Sequence, residues 1–262
     1  MKSNFAWRQT LLPLLLLLLA GCATQGKNAD TTGSLGQEKK NSPAKIYVDM
    51  GMAYMRDGRF AIALKKLKKA IEVDDDYPQA HNVIALLYER LGNATLAGKH
   101  YEEAVKLDSQ DPYIRNARGS YYCKQDRLDD AETDFQKALA NPLYPTPWVA
   151  LTNAGLCRER AGELTKAETY YRRALTANPK YPTALYQMAK ISLEQKNDFS
   201  ARAYLERYHS EIKPSAASLL LGIKIERKLR DMAMADEYRS RLMNEFPDAP
   251  EIQMLHEVEE AQ

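Results

Sequence analysis

The chain has 262 residues, with 37 lysines and arginines against 35 aspartates and glutamates, a formal net charge of +2. Neither sign dominates and no basic block is available to follow a phosphate backbone, which excludes nucleic acid as the expected partner. Hydrophobic residues make up 45%, enough for a sizeable core. The four histidines, His81, His100, His209 and His256, include no pair at i,i+3 or i,i+4, so no helical metal site is signalled.

The N-terminus carries Lys2 and Arg8, then an apolar run over residues 11–19 broken only by Pro13. Such a run is too short to cross ~30 Å of hydrocarbon, which takes about 20 helical residues. It reads as an export signal. The signal closes on Leu19-Ala20-Gly21-Cys22, which resembles the lipobox of bacterial lipoproteins; an ordinary secretory signal that happens to hold a cysteine is the alternative. The resemblance implies cleavage after residue 21, a covalent lipid on Cys22 and no other cofactor. Two or more acyl chains hold a protein firmly where one does not. In Gram-negative lipoproteins Asp after the cysteine implies inner-membrane retention. Here the residue is Ala23, which implies the outer membrane, periplasmic face. Loss of Lys2 and Arg8 leaves 35 charges of each sign. Residues 22–43 are rich in Gly, Ser, Thr, Asn, Gln and Lys and read as a flexible tether of about 25 Å root-mean-square reach.

From residue 44 the chain repeats itself. Gly51-xx-Tyr54-xxx-Gly58-xxxx-Ala63-xxx-Leu67-xx-Ala70 recurs 34 residues on as Ala85, Tyr88, Gly92, Ala97, Tyr101 and Ala104. After 34 more come Gly119, Tyr122, Asp126, Ala131, Phe135 and Ala138. The phase slips by two in residues 141–147 and resumes as Gly155, Arg158, Gly162, Ala167, Tyr171 and Ala174. A weaker copy holds Ala189, Ala201, Leu205 and Tyr208, and a degenerate one Gly222, Ile225, Ala235, Tyr238 and Leu242. Period and residue types resemble the tetratricopeptide repeat, with an irregular helical bundle as the plain alternative. The resemblance implies an all-α fold, a right-handed superhelix of about six repeats: 44–77, 78–111, 112–147, 148–181, 182–215 and 216–247. Residues 248–262, with Ile252, Leu255 and Val258, read as a capping helix. Glycine at 58 and 92 ends the first helix of a pair, small residues such as Gly51 and Ala63 allow close approach, and stacking buries what one pair alone leaves exposed.

In such a solenoid the first helices line the concave side. That surface is the expected partner groove, with Val48, Met52 and Met55 from the first repeat and Val83 and Leu86 from the second as an adaptable apolar lining. The alternative is that these side chains pack beneath the tether or a neighbouring repeat. Asn82, Asn116 and Asn153 form a candidate amide ladder for a peptide main chain, or else solvated surface. The full Lys/Asn/Arg clamp that grips a C-terminal carboxylate is missing. Cys123 and Cys157 stand 34 residues apart near the ends of consecutive first helices. They read as a structural disulfide worth roughly 3 kcal/mol, with two buried thiols or a redox pair as alternatives.

Two stretches go beyond the generic repeat. Residues 116–127 (Asn116, Ala117, Arg118, Gly119, Ser120, Tyr121, Tyr122, Cys123, Lys124, Gln125, Asp126, Arg127) and residues 142–157, from Pro142-Leu143-Tyr144-Pro145-Thr146-Pro147 to Cys157, are similar to the type IV pilus biogenesis/stability lipoproteins, the PilF/PilW pilotin family. The lipobox, the short tether and the six repeats match that layout. Arg118, Ser120 and Asp126 depart from its pattern. The resemblance implies a pilotin that binds the type IV pilus secretin and promotes its outer-membrane localisation and multimer assembly, in support of twitching motility; a self-sufficient solenoid of this kind is expected to be a monomer. The rival is an outer-membrane adaptor for other envelope proteins, such as peptidoglycan hydrolases. No phosphate loop, nucleophile elbow or recognisable carboxylate frame points to an enzyme.

Overall fold

The computed structural model describes residues 42–260; the expected signal peptide, the lipidation site Cys22 and nearly all of the expected tether lie outside them. Among the described residues there are thirteen α-helices and no strand. They come as six antiparallel pairs: α1 Ala44–Arg56 with α2 Phe60–Val73, α3 Pro78–Arg90 with α4 Ala94–Leu107, and α5 Pro112–Lys124 with α6 Leu128–Leu139. Then follow α7 Pro147–Arg160 with α8 Leu164–Ala177, α9 Pro182–Glu194 with α10 Asp198–Glu211, and α11 Ala216–Lys228 with α12 Met232–Glu245. A single helix, α13 Glu251–Glu260, closes the chain.

The helix ends follow from local chemistry. Proline opens α3, α5, α7 and α9, where its missing N–H costs nothing. Asn93, Asp111, Asn197, Ser215 and Asp231 cap their helices through side-chain oxygens. Each first helix ends on one left-handed residue: Gly58, Gly92, Asp126, Gly162, Lys196 and Arg230, with φ between 58 and 75°. The amide after each bonds back to the carbonyl five residues earlier, as Arg59 does to Tyr54 at 2.8 Å and Asn197 to Ser192 at 2.8 Å. This Schellman geometry turns the chain into the second helix.

Within a pair a small residue lies under a large one. A Cβ added at Gly155 would sit 2.4 Å from the Tyr171 ring, and one at Gly119 2.9 Å from Phe135. These crossings bring the helices too close for a larger side chain. Second helices pack on the next first helix, and neighbouring first helices also touch, α1 with α3, α3 with α5, α5 with α7 and α9 with α11. A cluster from Ala85 to Ile225 is continuous through the middle of the stack, with separate clusters around Leu67 and Leu219 at its ends. At the phase slip, Tyr144 is buried and meets Tyr113 edge-on, ring centroids 5.2 Å apart. The buried Leu255 of α13, with Ile252 and Ala249, packs into the Leu219 cluster.

The end of the expected tether departs from the sequence reading. Ser42 is buried, its hydroxyl donates to the Asp74 carboxylate and it accepts from the Ala44 amide at 3.1 Å. This short polar residue satisfies the first amide of α1 from within the segment read as unstructured.

Candidate partner-binding groove

The first helices bring the expected groove residues together, but not all on the surface. Val48, Met55 and Val83 are buried, members of the N-terminal cluster with Leu67, Tyr77, Ile84 and Leu87. They are core and not groove lining, because a first helix is enclosed by its own second helix and by the next first helix. Met52 is half-buried at the margin of that cluster. Leu86 is 39% exposed. The apolar surface offered by the first two repeats is therefore smaller than the sequence suggested and centres on Met52 and Leu86.

The three asparagines do not form an even ladder. The Asn153 amide donates to the Asn116 carbonyl at 3.0 Å, bridging α7 and α5. Asn82 reaches only Gln79, at 3.5 Å, and its side-chain oxygen is buried without a partner. Asn116 follows Asn82 by 34 residues, but Asn153 follows Asn116 by 37, one more than the slipped repeat of 36, so the series is a bonded pair and a single residue.

Between α5 and α7 lies a shallow hollow of about 200 Å³, lined by Ser120, Cys123, Lys124, Leu156, Cys157 and Arg160 together with Asn153. The Cα atoms of Cys123 and Cys157 are 5.7 Å apart and the sulfurs are at bonding distance, within the reach of a disulfide. The rim of the groove is a series of braced charges. Glu89 accepts from Tyr101 at 2.5 Å and from Lys124 of the next first helix at 2.9 Å. Glu159 repeats this, accepting from Tyr171 at 2.7 Å and Lys190 at 2.8 Å. Burial, then the neighbouring carboxylate, drives both phenols far above the ordinary tyrosine range, so they remain donors. The spacing of 12 residues in Glu89–Tyr101 and Glu159–Tyr171 was a visible signal that periodicity in apolar residues does not read.

Between α5 and α6, the buried Asp134 binds Arg115 and Arg118. Glu132 accepts from Arg158, Gln136 and Tyr170, and its carboxyl is held below the usual range by those donors against the opposing effect of burial. His81 and His100, unremarkable in sequence, meet with ring nitrogens 3.1 Å apart.

A tetratricopeptide repeat family model matches residues 48–112 and 116–182, and a second tetratricopeptide model matches 183–211. The type IV pilus assembly protein PilF of Pseudomonas aeruginosa is 26% identical over 246 residues, covering 94% of this chain and 96% of that protein. The crystal structure of PilW, a widely conserved type IV pilus biogenesis factor, is 30% identical, with TM-score 0.75 over 82% of this chain and 99% of its own.

The chain is a tetratricopeptide-repeat protein of the PilF/PilW type IV pilus biogenesis family.

A structure of Pseudomonas aeruginosa PilF superposes similarly, with 25% identity and TM-score 0.73 over 84% of this chain and 98% of that one. The tetratricopeptide matches end at residue 211. The sixth pair nevertheless keeps the family crossing, since a Cβ at Gly222 would stand 2.8 Å from Tyr238. Like other members of this architecture, this PilF/PilW-type protein presents stacked helices to protein partners.

Proposed function

We propose that this protein is the pilotin of a type IV pilus system: a lipoprotein, acylated at Cys22 and seated on the periplasmic face of the outer membrane, that binds the secretin and promotes its assembly there. The observation that carries the reading is end-to-end similarity to PilF, 94% of this chain against 96% of that one, joined to the Leu19-Ala20-Gly21-Cys22 sequence. The lipid supplies location and the concave face supplies the grip. Met52 and Leu86 offer apolar contact at one end of the groove, while the Glu89–Lys124 and Glu159–Lys190 pairs fix the partner's register by charge. Cys123 and Cys157, as a disulfide, staple the hollow between α5 and α7 and keep it preorganised.

Leu86→Asp and Met52→Asp place a charge where the partner's apolar surface would lie; Leu86 stands clear of the buried clusters, and Met52 borders one, so its variant is checked for an intact fold. Each is expected to lower co-purification of the secretin at least tenfold, the cost of desolvating one unpaired charge being several kcal/mol. Unchanged co-purification with an intact fold contradicts this use of the groove. The disulfide is read by alkylating the unreduced protein; an adduct on Cys123 or Cys157 contradicts it.

A further inference from the structure

The first helix pair carries a surface that no other pair repeats. Ser42, the first described residue, is tied to Asp74 at the C-terminal end of α2. On α2 the side opposite the buried Ala63, Leu67 and Ala70 is formed by Lys65, Lys68 and Lys69, all exposed. At the same three positions α4 has Lys99, Glu102 and Glu103, and α10 has Ala203, Glu206 and Arg207. Three cations in this register occur on α2 alone among the six second helices. Lys69 pairs with Glu72 at 3.1 Å, but both side chains are more than half exposed and such a pair holds its partners weakly. At the same end two apolar residues face solvent: Ile46 in the first turn of α1, 62% exposed, and Val73, the last residue of α2, 39% exposed. Asp75 and Asp76 lie just beyond and bound the patch.

We propose that this end of the solenoid rests on an anionic phospholipid surface, with Lys65, Lys68 and Lys69 at the headgroups and Ile46 and Val73 at the interface. The proposal rests on the reading of Cys22 as the lipid anchor. Two facts choose this occupant over a protein. Lysines outnumber acids on this face, three against Glu72, and the described residues begin at Ser42 beside it. About 20 residues separate Cys22 from Ser42, a reach of about 25 Å, comparable to the ~21 Å length of a 14-residue helix such as α2. The tether thus holds the α2 face close to the bilayer, where basic side chains are attracted within a Debye length of anionic headgroups and exposed apolar side chains add to binding. Adsorption by this face fixes the orientation of the solenoid, with the first repeats nearest the membrane and the later ones projecting into the periplasm.

The test uses the chain from residue 22 onward with Cys22→Ser, which contains every described residue and carries no lipid. It is sedimented with vesicles of phosphatidylcholine, alone or mixed with phosphatidylglycerol. Binding to the mixed vesicles only, weakened by salt, is expected. The combined variant K65E/K68E/K69E is expected to lower the partition coefficient on the order of 10²-fold, and Ile46→Asp by a smaller factor. Arg172→Glu with Arg173→Glu, on α8, leaves it within twofold, and circular dichroism of all variants matches the parent. No binding to the anionic vesicles, equal binding to both kinds, or an equal loss from the α8 variant overturns the proposal. Acylation of Cys22 is read separately, from the intact mass of protein extracted from membranes, so failure of the anchor reading and failure of this surface are distinguishable.

Discussion

Asp134→Ala removes the shared acceptor of two guanidinium groups. Asp134 is 1% exposed and Arg115 7% exposed. Their bond is 2.7 Å, and Arg118 adds contacts of 2.6 and 2.9 Å to the same carboxylate. Removing one partner of a buried ion pair costs about 3–5 kcal/mol, because the other charge is left uncompensated. Arg115 keeps a bond to the Ser109 carbonyl at 2.9 Å. Arg118 is partly exposed over the Tyr122 ring and regains water. The loss therefore belongs at the lower end, about 3 kcal/mol, or roughly 6–12 °C in Tm for a fold of this size. A solenoid opens regionally, so hydrogen exchange is the sharper assay: amides of α5 and α6 should lose the most protection. Arg115→Leu added to Asp134→Ala should recover part of the loss, since Leu151 fills the position of Arg115 one repeat later. A loss under about 1 kcal/mol, or exchange unchanged in α5 and α6, refutes the assignment of this pair as a buried strut.

Three further predictions follow from single features. Lys196 and Arg230 hold left-handed φ of 60 and 61°, which costs an L-residue roughly 1–2 kcal/mol; Lys196→Gly and Arg230→Gly should each stabilise the fold by about 0.5–1 kcal/mol after the larger entropy loss of glycine, read as a raised urea midpoint. A lowered midpoint contradicts the strain. His209, half-buried, near Arg241 and 3.0 Å from Ser218 Oγ, has its pKa lowered to about 4, by desolvation first and then by the Arg241 charge. The folded state then binds fewer protons than the unfolded one, whose imidazole titrates near 6.5. The His209 contribution is thus complete above pH ~6.5, falls as pH drops towards 4 and levels below it. Proton NMR should place its titration near 4, and a midpoint near 6.5 contradicts the burial. Cys123→Ser with Cys157→Ser opens a cross-link across 34 residues and should cost about 3–4 kcal/mol against the unreduced parent, with no difference once the parent is fully reduced.

The 34-residue period carried most of the fold, because it repeats the small residues at helix crossings and the left-handed residues between helices. Where glycine gives way to Asp126, Lys196 or Arg230 the backbone turns in the same way. There the Schellman bonds and the neighbouring crossing impose the geometry, and local residue type no longer reports it. The groove was less legible. Periodicity places Val48, Met55 and Val83 on the same helices as Met52 and Leu86, but whether a side chain points into the groove or between helices depends on neighbours 12 to 40 residues away. The charge series fell outside apolar patterning for the same reason, since Glu89 meets Lys124 only after stacking. His81 and His100 occupy the positions of Arg115 and Asp134 one repeat earlier. The site holds a polar pair in both repeats, yet nothing in the spacing of 19 residues announces it.

The central claim is tested most directly by the state of the secretin in cells lacking this gene. Membranes are separated, and heat- and detergent-resistant secretin multimers are sought in the outer-membrane fraction. The pilotin account predicts that multimers disappear or collect at the inner membrane, that acylated protein restores them and that the Cys22→Ser protein does not. Multimers at the parental level in the outer membrane, with the gene absent, contradict it.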